Sequence, residues 1–210
     1  MRFDFLNDLD GYFCEKYANY DKICSLTGYS MPKMQTTKRL ADGRDYSYTL
    51  PASTMRLAGQ EKKDELLVQL KEKIREVGFS FSFRPLSFWE RLKKYNKKDS
   101  FRKVLPVVLA RKNAGLESVF SDLAIERKTW DRILRGAYYP TKNLLYTIAF
   151  AAHLSLDDLS ELMKVCGFTF DLTLVKDVVV SYLVSRGVYN SEMVKAAFKE
   201  YKIEGLFLKD

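Results

Sequence analysis

The stretch that decides the fold is GLESVFSDLAIERKTWDRILRG, residues 115–136. Apolar residues recur at helical spacing in each half, which predicts a short helix, a tight turn at 124–125 and a second helix over 126–135. Gly136 then ends the second helix. Two short helices joined by a brief turn, each burying one face, form a helix-turn-helix unit. Its apolar positions are Leu116, Val119, Phe120, Leu123, Trp130, Ile133 and Leu134.

Helical patterns continue on both sides of this unit. Before it, residues 101–109 form a helical segment with an apolar face, and Pro106 inside that segment is expected to end, shift or kink the helix. After it, Pro140 and Thr141 predict a bend and an N-cap, followed by two apolar helices. Two further amphipathic segments lie beyond these. The sequence therefore predicts an all-α helix-turn-helix domain over residues 100–210 with two extra C-terminal helices.

Three stretches carry a family resemblance: TWDRILRG at 129–136, YPTKNLLYTIAFAAHLSLDDLSELM at 139–163 and CGF at 166–168. Together they resemble the lambda-repressor-like family of helix-turn-helix domains, the Cro/CI and XRE type, over about residues 100–170. Residues up to 207 look like an extended C-terminal form seen in some members from Gram-positive bacteria and their mobile elements. The resemblance implies a domain of five short helices plus this extension.

The resemblance also implies where such a domain meets DNA. In this family the second helix of the unit enters the major groove of double-stranded DNA, and its N-terminal half contacts base edges. Arginine and lysine donate to guanine, or to phosphates alone, which position the protein without specifying a sequence. A phosphate would also suit the helix start at Thr141. The residues thereby expected to contact DNA are Arg127, Lys128, Thr129, Asp131, Arg132, Arg135, Lys142, Arg102 and Lys103.

Positive charge is concentrated around the same unit. The formal net charge of the chain is +8, and residues 84–135 hold 14 lysines and arginines against 6 acidic residues, a surplus equal to the whole net charge. A basic band on an otherwise neutral protein is the pattern expected for a polyanionic partner. A solvated basic surface with a lysine-rich linker over 93–98 explains the same charges equally well.

Residues 1–84 predict a separate small α+β domain, so the chain is expected to be mainly α overall. Three alternating phenylalanines near its end favour a sheet face packed on the preceding helix over a stacking platform for single-stranded nucleic acid. A helical basic linker over 85–99 follows it. The predicted elements of the domain are a helix from Phe3 to about Cys24, hairpin strands over 34–40 and 46–50 around an Asp42-Gly43 turn, a helix over 62–77 and a strand over 79–83.

The sequence carries no sign of a metal site, a cofactor or a catalytic centre. Cys14, Cys24 and Cys166 lie far apart and His153 is the only histidine, so neither a zinc site nor a disulfide framework is expected. No P-loop, GxGxxG or HExxH motif is present. No apolar run approaches the ~20 residues that span a bilayer, and the N-terminus lacks signal-peptide features. We therefore expect a cytoplasmic protein that is not an enzyme and has no membrane partner.

These features favour a DNA-binding regulator that binds double-stranded DNA, with a homodimer as one way to reach two half-sites. The alternative is a protein-binding module, such as an inhibitor in phage defence or anti-defence. It is left open because the unit is shorter than the common family spacing and Ala124 replaces the usual turn glycine, while Glu126 and Asp131 would repel phosphates. A third alternative is RNA binding by the basic band, with Trp89 and Tyr95 as stacking residues.

Overall fold

The chain is mainly helical wherever the computed structural model describes it, namely over residues 2–18, 35–39, 45–49, 67–68, 71–72, 83–90, 100–204 and 206. The named elements, in chain order, are α1 (Arg2–Lys16), β1 (Gln35–Arg39), β2 (Asp45–Thr49), α2 (Phe101–Ala110), α3 (Leu116–Asp122), α4 (Arg127–Leu134), α5 (Lys142–Ala151), α6 (Leu156–Val165), α7 (Val175–Ser185) and α8 (Ser191–Glu200).

The helices predicted for the C-terminal half are confirmed. α2 continues through Pro106, and the proline ring is exposed, so the carbonyl that loses its helical donor lies towards solvent. Two of the later helices begin at side-chain caps, where Thr141 accepts the amide of Leu144 at 3.2 Å and Asn190 accepts two amides of α8. α4 is followed by Gly136 with a φ of +70°, a left-handed conformation that favours glycine.

The centre of the core is formed by α5 and α7. Residues 143–150 of α5 are all buried, and α7 is buried along nearly its whole length. A helix that is apolar on every side must be surrounded by other elements, and here α1, α3, α6 and α8 pack around this pair. α4 joins the same core through Trp130 and Ile133, whose side chains are almost fully buried. These contacts fix the position of α4 against the rest of the helices.

The predicted α+β N-terminal domain is not supported, because its first helix belongs to the helical core. α1 packs on α7 and α8: Tyr12 lies 5.3 Å from the ring of Tyr182, and Phe13 lies 4.6 Å from the ring of Tyr201. The hydroxyls of Tyr12 and Ser181 are hydrogen-bonded at 3.1 Å. A two-stranded hairpin buries too little surface to cover an apolar helix. The apolar face of α1 is covered by the C-terminal helices instead.

The other predictions for residues 1–99 have mixed outcomes. The hairpin is present as β1 and β2, which pair antiparallel with Thr37 opposite Ser47. α1 ends at Lys16, earlier than predicted, and the amide of Ala18 then donates to the carbonyl of Leu172. Of the helix predicted over 62–77, residues 67–68 and 71–72 are described and are helical. Most of the predicted strand over 79–83 and of the linker over 85–99 lies outside the described residues.

None of the helices in the described residues is both long and apolar enough to cross a membrane. Nor do the described His, Cys, Asp and Glu residues form a group of three or more that could hold a metal ion.

Candidate nucleic-acid interface

The connection between α3 and α4 sets how α4 is presented. It consists of residues 123–126, and Leu123 within it is fully buried. Ala124 is not among the residues with a positive φ, so this turn does not require a glycine. On the buried side of α4, Trp130 stacks 6.2 Å from the ring of Phe120 of α3. The opposite side of α4 is thereby left at the surface.

Three cations line this surface side of α4. Lys128, Arg132 and Arg135 are all exposed, and their spacing of four and three residues places them on one face of the helix. We call these three residues the basic stripe. Arg132 donates to the hydroxyl of Tyr138 at 2.7 Å and lies 5.5 Å from the centroid of that ring, which is a neutral partner. This contact therefore leaves the positive charge of Arg132 uncompensated.

Arg127 lies on a different face of α4 and is held by α3. Its guanidinium makes a bidentate pair with Glu117 at 2.5 and 2.9 Å and also contacts Asp131 at 3.2 Å. The ring of Phe120 lies below it at 4.9 Å. The hydrogen bonds between them hold the pKa of the Glu117 carboxyl below its usual range and raise the pKa of Arg127. Arg127 and Asp131, both predicted as DNA contacts, are thus engaged with each other and with α3.

The prediction that Lys142 contacts a phosphate is not supported. Lys142 forms an ion pair with Asp177 of α7, and the two side chains are 19% and 0% exposed. The same carboxylate accepts a hydrogen bond from the hydroxyl of Tyr146 at 2.8 Å and another from the amide of Asp171 at 2.8 Å. Burial raises the pKa of the Tyr146 phenol well above its usual value. Lys142 neutralises a buried charge, so its ammonium group faces the core rather than an external anion.

The remaining predicted contacts are dispersed around the stripe. Arg102, at the start of α2, lines a depression of about 320 Å³ together with Arg135 and Asp131, and the apolar side chains of α2, α3 and α4 complete its wall. Lys103 is exposed on the same turn of α2 as Arg102, and Thr129 is half-buried on α4. Arg102 and Arg135 are therefore brought together, whereas Lys103 is not placed in this depression.

Sequence reasoning missed that residues 84–86 pair with the chain just after α4. The amide of Leu86 donates to the carbonyl of Ala137 at 2.8 Å, and the amide of Tyr139 donates to the carbonyl of Arg84 at 2.9 Å. Between them, Pro85 and Tyr138 form an antiparallel bridge. Hydrophobic periodicity gives no signal for a pairing this short and this distant in sequence. The pairing places the segment 84–90 beside the basic stripe.

Two aromatic rings project from that segment. Phe88 and Trp89 are 67% and 70% exposed, with ring centroids 5.8 Å apart in an edge-to-face arrangement. A capping box fixes their backbone: the amide of Ser87 donates to Glu90 at 2.9 Å, and Glu90 returns an amide to the Ser87 hydroxyl at 3.4 Å. The hydrogen bond from the Ser87 amide, together with the 3.1 Å contact between the Arg84 guanidinium and the Glu90 carboxylate, holds the pKa of Glu90 below its usual range. The spacing Ser-x-x-Glu was a usable sequence signal for this helix start.

No protein-family model matches this chain, and no curated protein and no solved structure is significantly similar to it.

Proposed function

We propose that the protein is a DNA-binding regulator in which α3 and α4 act as the helix-turn-helix unit and the basic stripe contacts double-stranded DNA. The observation that carries the proposal is the geometry of α4. Trp130 and Ile133 anchor one side of it in the core, while Lys128, Arg132 and Arg135 stand exposed on the other. The resemblance of residues 100–170 to lambda-repressor-like domains is part of the same proposal.

The dimensions of the stripe suit a groove lined by phosphates. At a rise of about 1.5 Å per residue, Lys128 and Arg135 are about 10 Å apart along the helix axis. The major groove of B-DNA is about 12 Å wide and admits a single helix. Cations at this spacing reach phosphates or guanine edges without a change in the helix. A rigid anchor on the buried side keeps the entropy lost on binding small.

Arg127 has a secondary role in this proposal. A contact between Arg127 and DNA has to replace the bidentate pair with Glu117, so little free energy is gained by the exchange. Lys128, which is adjacent and exposed, has no such competing carboxylate among the described residues. We therefore assign the main electrostatic contribution to the basic stripe. The proposal further holds that the protein acts in the cytoplasm, is not an enzyme and reaches two half-sites as a homodimer.

The test is binding of the full chain to a pool of random-sequence duplex DNA at a series of salt concentrations. We expect wild type to bind with a steep salt dependence and to enrich one sequence from the pool. Lys128→Ala/Arg132→Ala should weaken binding by more than about tenfold and reduce the slope of log K against log salt by about two, since each phosphate contact contributes about 0.9.

The matched control is Lys164→Ala/Lys199→Ala, which removes the same charge from exposed positions on α6 and α8. It should retain nearly all of the wild-type affinity, because these helices lie outside the α3–α4 unit. Equal losses in the two double variants would mean that net charge alone drives binding, and the assignment to α4 would then be wrong. Absence of any duplex binding at low salt would overturn the proposal.

A protein partner is the second candidate, and one observation favours it. Carboxylates border α4 at Glu117, Glu126 and Asp131, and all three would be close to phosphates in a groove. Protein surfaces tolerate such mixed charge better than DNA does. The two candidates differ in their response to salt and to duplex DNA. A protein partner would bind the stripe in the absence of DNA, and duplex DNA would not displace it.

A further inference from the structure

We call the exposed rings of Phe88 and Trp89 the aromatic pair. The backbone of the segment that carries them is hydrogen-bonded to the residues that follow α4. The amide of Leu86 bonds to Ala137, and the amide of Ala137 in turn bonds to the carbonyl of Arg132 at 2.7 Å. Trp89 lies three residues after Leu86, so its Cα is at most about 11 Å from that anchor. The aromatic pair is therefore held near the end of α4 that carries Arg132.

Two arginines flank the aromatic pair where residues 84–86 meet residues 137–139. Arg84 is paired with Glu90 at 3.1 Å and its guanidinium lies 5.7 Å from the ring of Tyr139, while Arg132 lies 5.5 Å from the centroid of the Tyr138 ring and donates to that neutral hydroxyl. In the sequence, Arg91, Lys93 and Lys94 follow directly. Flat apolar rings among cations match the chemistry of a nucleic acid, which combines aromatic bases with phosphates. This charge complementarity favours a nucleic acid over an apolar protein surface.

We propose that the aromatic pair is a stacking surface for an unpaired base, so that the partner is a DNA duplex adjoining a single-stranded segment. The inference rests on the proposed DNA contact of α4 and adds the class of DNA to it. Inside a duplex the faces of the bases are covered by their neighbours, and the grooves present only edges. Trp89, which is 70% exposed, gains a face-to-face contact away from the duplex ends only from a base that has left the stack.

The two tryptophans of the chain provide a direct optical test. Trp89 is exposed, whereas Trp130 is fully buried in the core, so quenching by a stacked base reports on Trp89 alone. The probes are a blunt duplex and the same duplex with a short single-stranded extension, each titrated into the full chain. We expect the extended duplex to bind at least about fivefold more tightly and to quench Trp89 emission.

Two variants make the result specific. Trp89→Ala should lose the preference for the extended duplex while binding the blunt duplex as wild type does. Trp89→Phe retains a ring that can stack, so it should keep the preference while removing the optical signal. Because the side chain is exposed, neither change disturbs the core, and thermal unfolding of both should match wild type.

The outcomes separate this inference from the function on which it rests. Equal binding of the two duplexes by wild type, or an unchanged preference in Trp89→Ala, would overturn the stacking surface and leave the duplex contact of α4 in place. Binding of the extended duplex without binding of the blunt one would support the stacking surface and overturn the proposed duplex contact. Binding of neither would overturn both.

Discussion

Two lysines in consecutive helices have opposite surroundings, although each lies in the first turn of its helix. Lys128 in α4 is exposed beside Arg132, whereas Lys142 in α5 is paired with Asp177, whose side chain is completely buried. The difference originates in α7, which delivers a carboxylate to the start of α5 and none to the start of α4. A lysine at a helix start therefore indicates an anion site only where no acidic residue from elsewhere reaches it.

The helices themselves differ in the same sense. α5 is buried over residues 143–150 and capped by the hydroxyl of Thr141, while α4 is amphipathic and its N-cap residue, Glu126, makes no side-chain cap. The first is built to hold the core together, and the second presents one face to solvent.

The largest effect is expected for the two lysines. Lys142→Ala should lower the free energy of unfolding by about 3–5 kcal/mol, because it removes the ammonium group that is paired with the buried carboxylate of Asp177. Lys128→Ala should change it by less than about 0.5 kcal/mol, as is usual at exposed positions. Urea unfolding of both variants measures this difference, and similar losses in the two would refute the contrast.

The next effect concerns two tyrosine hydroxyls. Tyr146→Phe removes the 2.8 Å hydrogen bond to buried Asp177 and should cost about 1.5–3 kcal/mol of unfolding free energy, the range for hydrogen bonds to charged groups. Tyr138→Phe removes a surface hydrogen bond from Arg132 and should have little effect. The same urea titrations measure both variants. An unchanged free energy of unfolding for Tyr146→Phe would show that the buried Asp177 carboxylate does not need the hydrogen bond from this hydroxyl.

A smaller effect is expected at the two N-caps. Thr141→Ala should cost about 1 kcal/mol, because the amide of Leu144 loses its acceptor. Glu126→Ala should be nearly neutral for stability, since no cap hydrogen bond is lost there. Equal changes in melting temperature for the two variants would mean that the side-chain cap of α5 contributes nothing.

The smallest effect concerns DNA affinity rather than stability. Glu117→Gln weakens the pair that holds Arg127 and should raise duplex affinity about two- to fivefold, provided that α4 binds DNA as proposed. Glu126→Gln makes the same change in charge in the adjoining turn without releasing an arginine. Salt-matched titrations of the two variants compare them, and an equal gain in both would show that Arg127 takes no part in binding.

Local pattern in the sequence was sufficient for some of these features. Trp130 and Ile133 repeat at helical spacing, and the structure buries both. Thr141 was predicted as an N-cap and serves as one. Gly136 was predicted to end a helix, and its positive φ agrees. Such features depend on residues within about one helical turn, which is why periodicity and capping rules detect them.

Features that depend on distant residues were not predictable in the same way. Lys142 meets its partner 35 residues later in the chain, and Arg127 meets Glu117 ten residues earlier, across the turn between two helices. The sequence shows the apolar face of α1 but not the surface that covers it. The prediction of a separate domain for α1 is wrong for this reason. Periodicity identifies an apolar face and says nothing about which element packs on it.

The most direct test of the central claim is the acetylation rate of each lysine, followed by mass spectrometry with and without saturating duplex DNA. The account predicts that Lys128 reacts fast in the free protein and is protected by DNA. Lys142 should react slowly in both states, and Lys164 on α6 should react equally fast in both. Protection of Lys164 to the same extent as Lys128, or an unprotected Lys128 in the DNA complex, would contradict the assignment of α4 as the DNA-contacting helix.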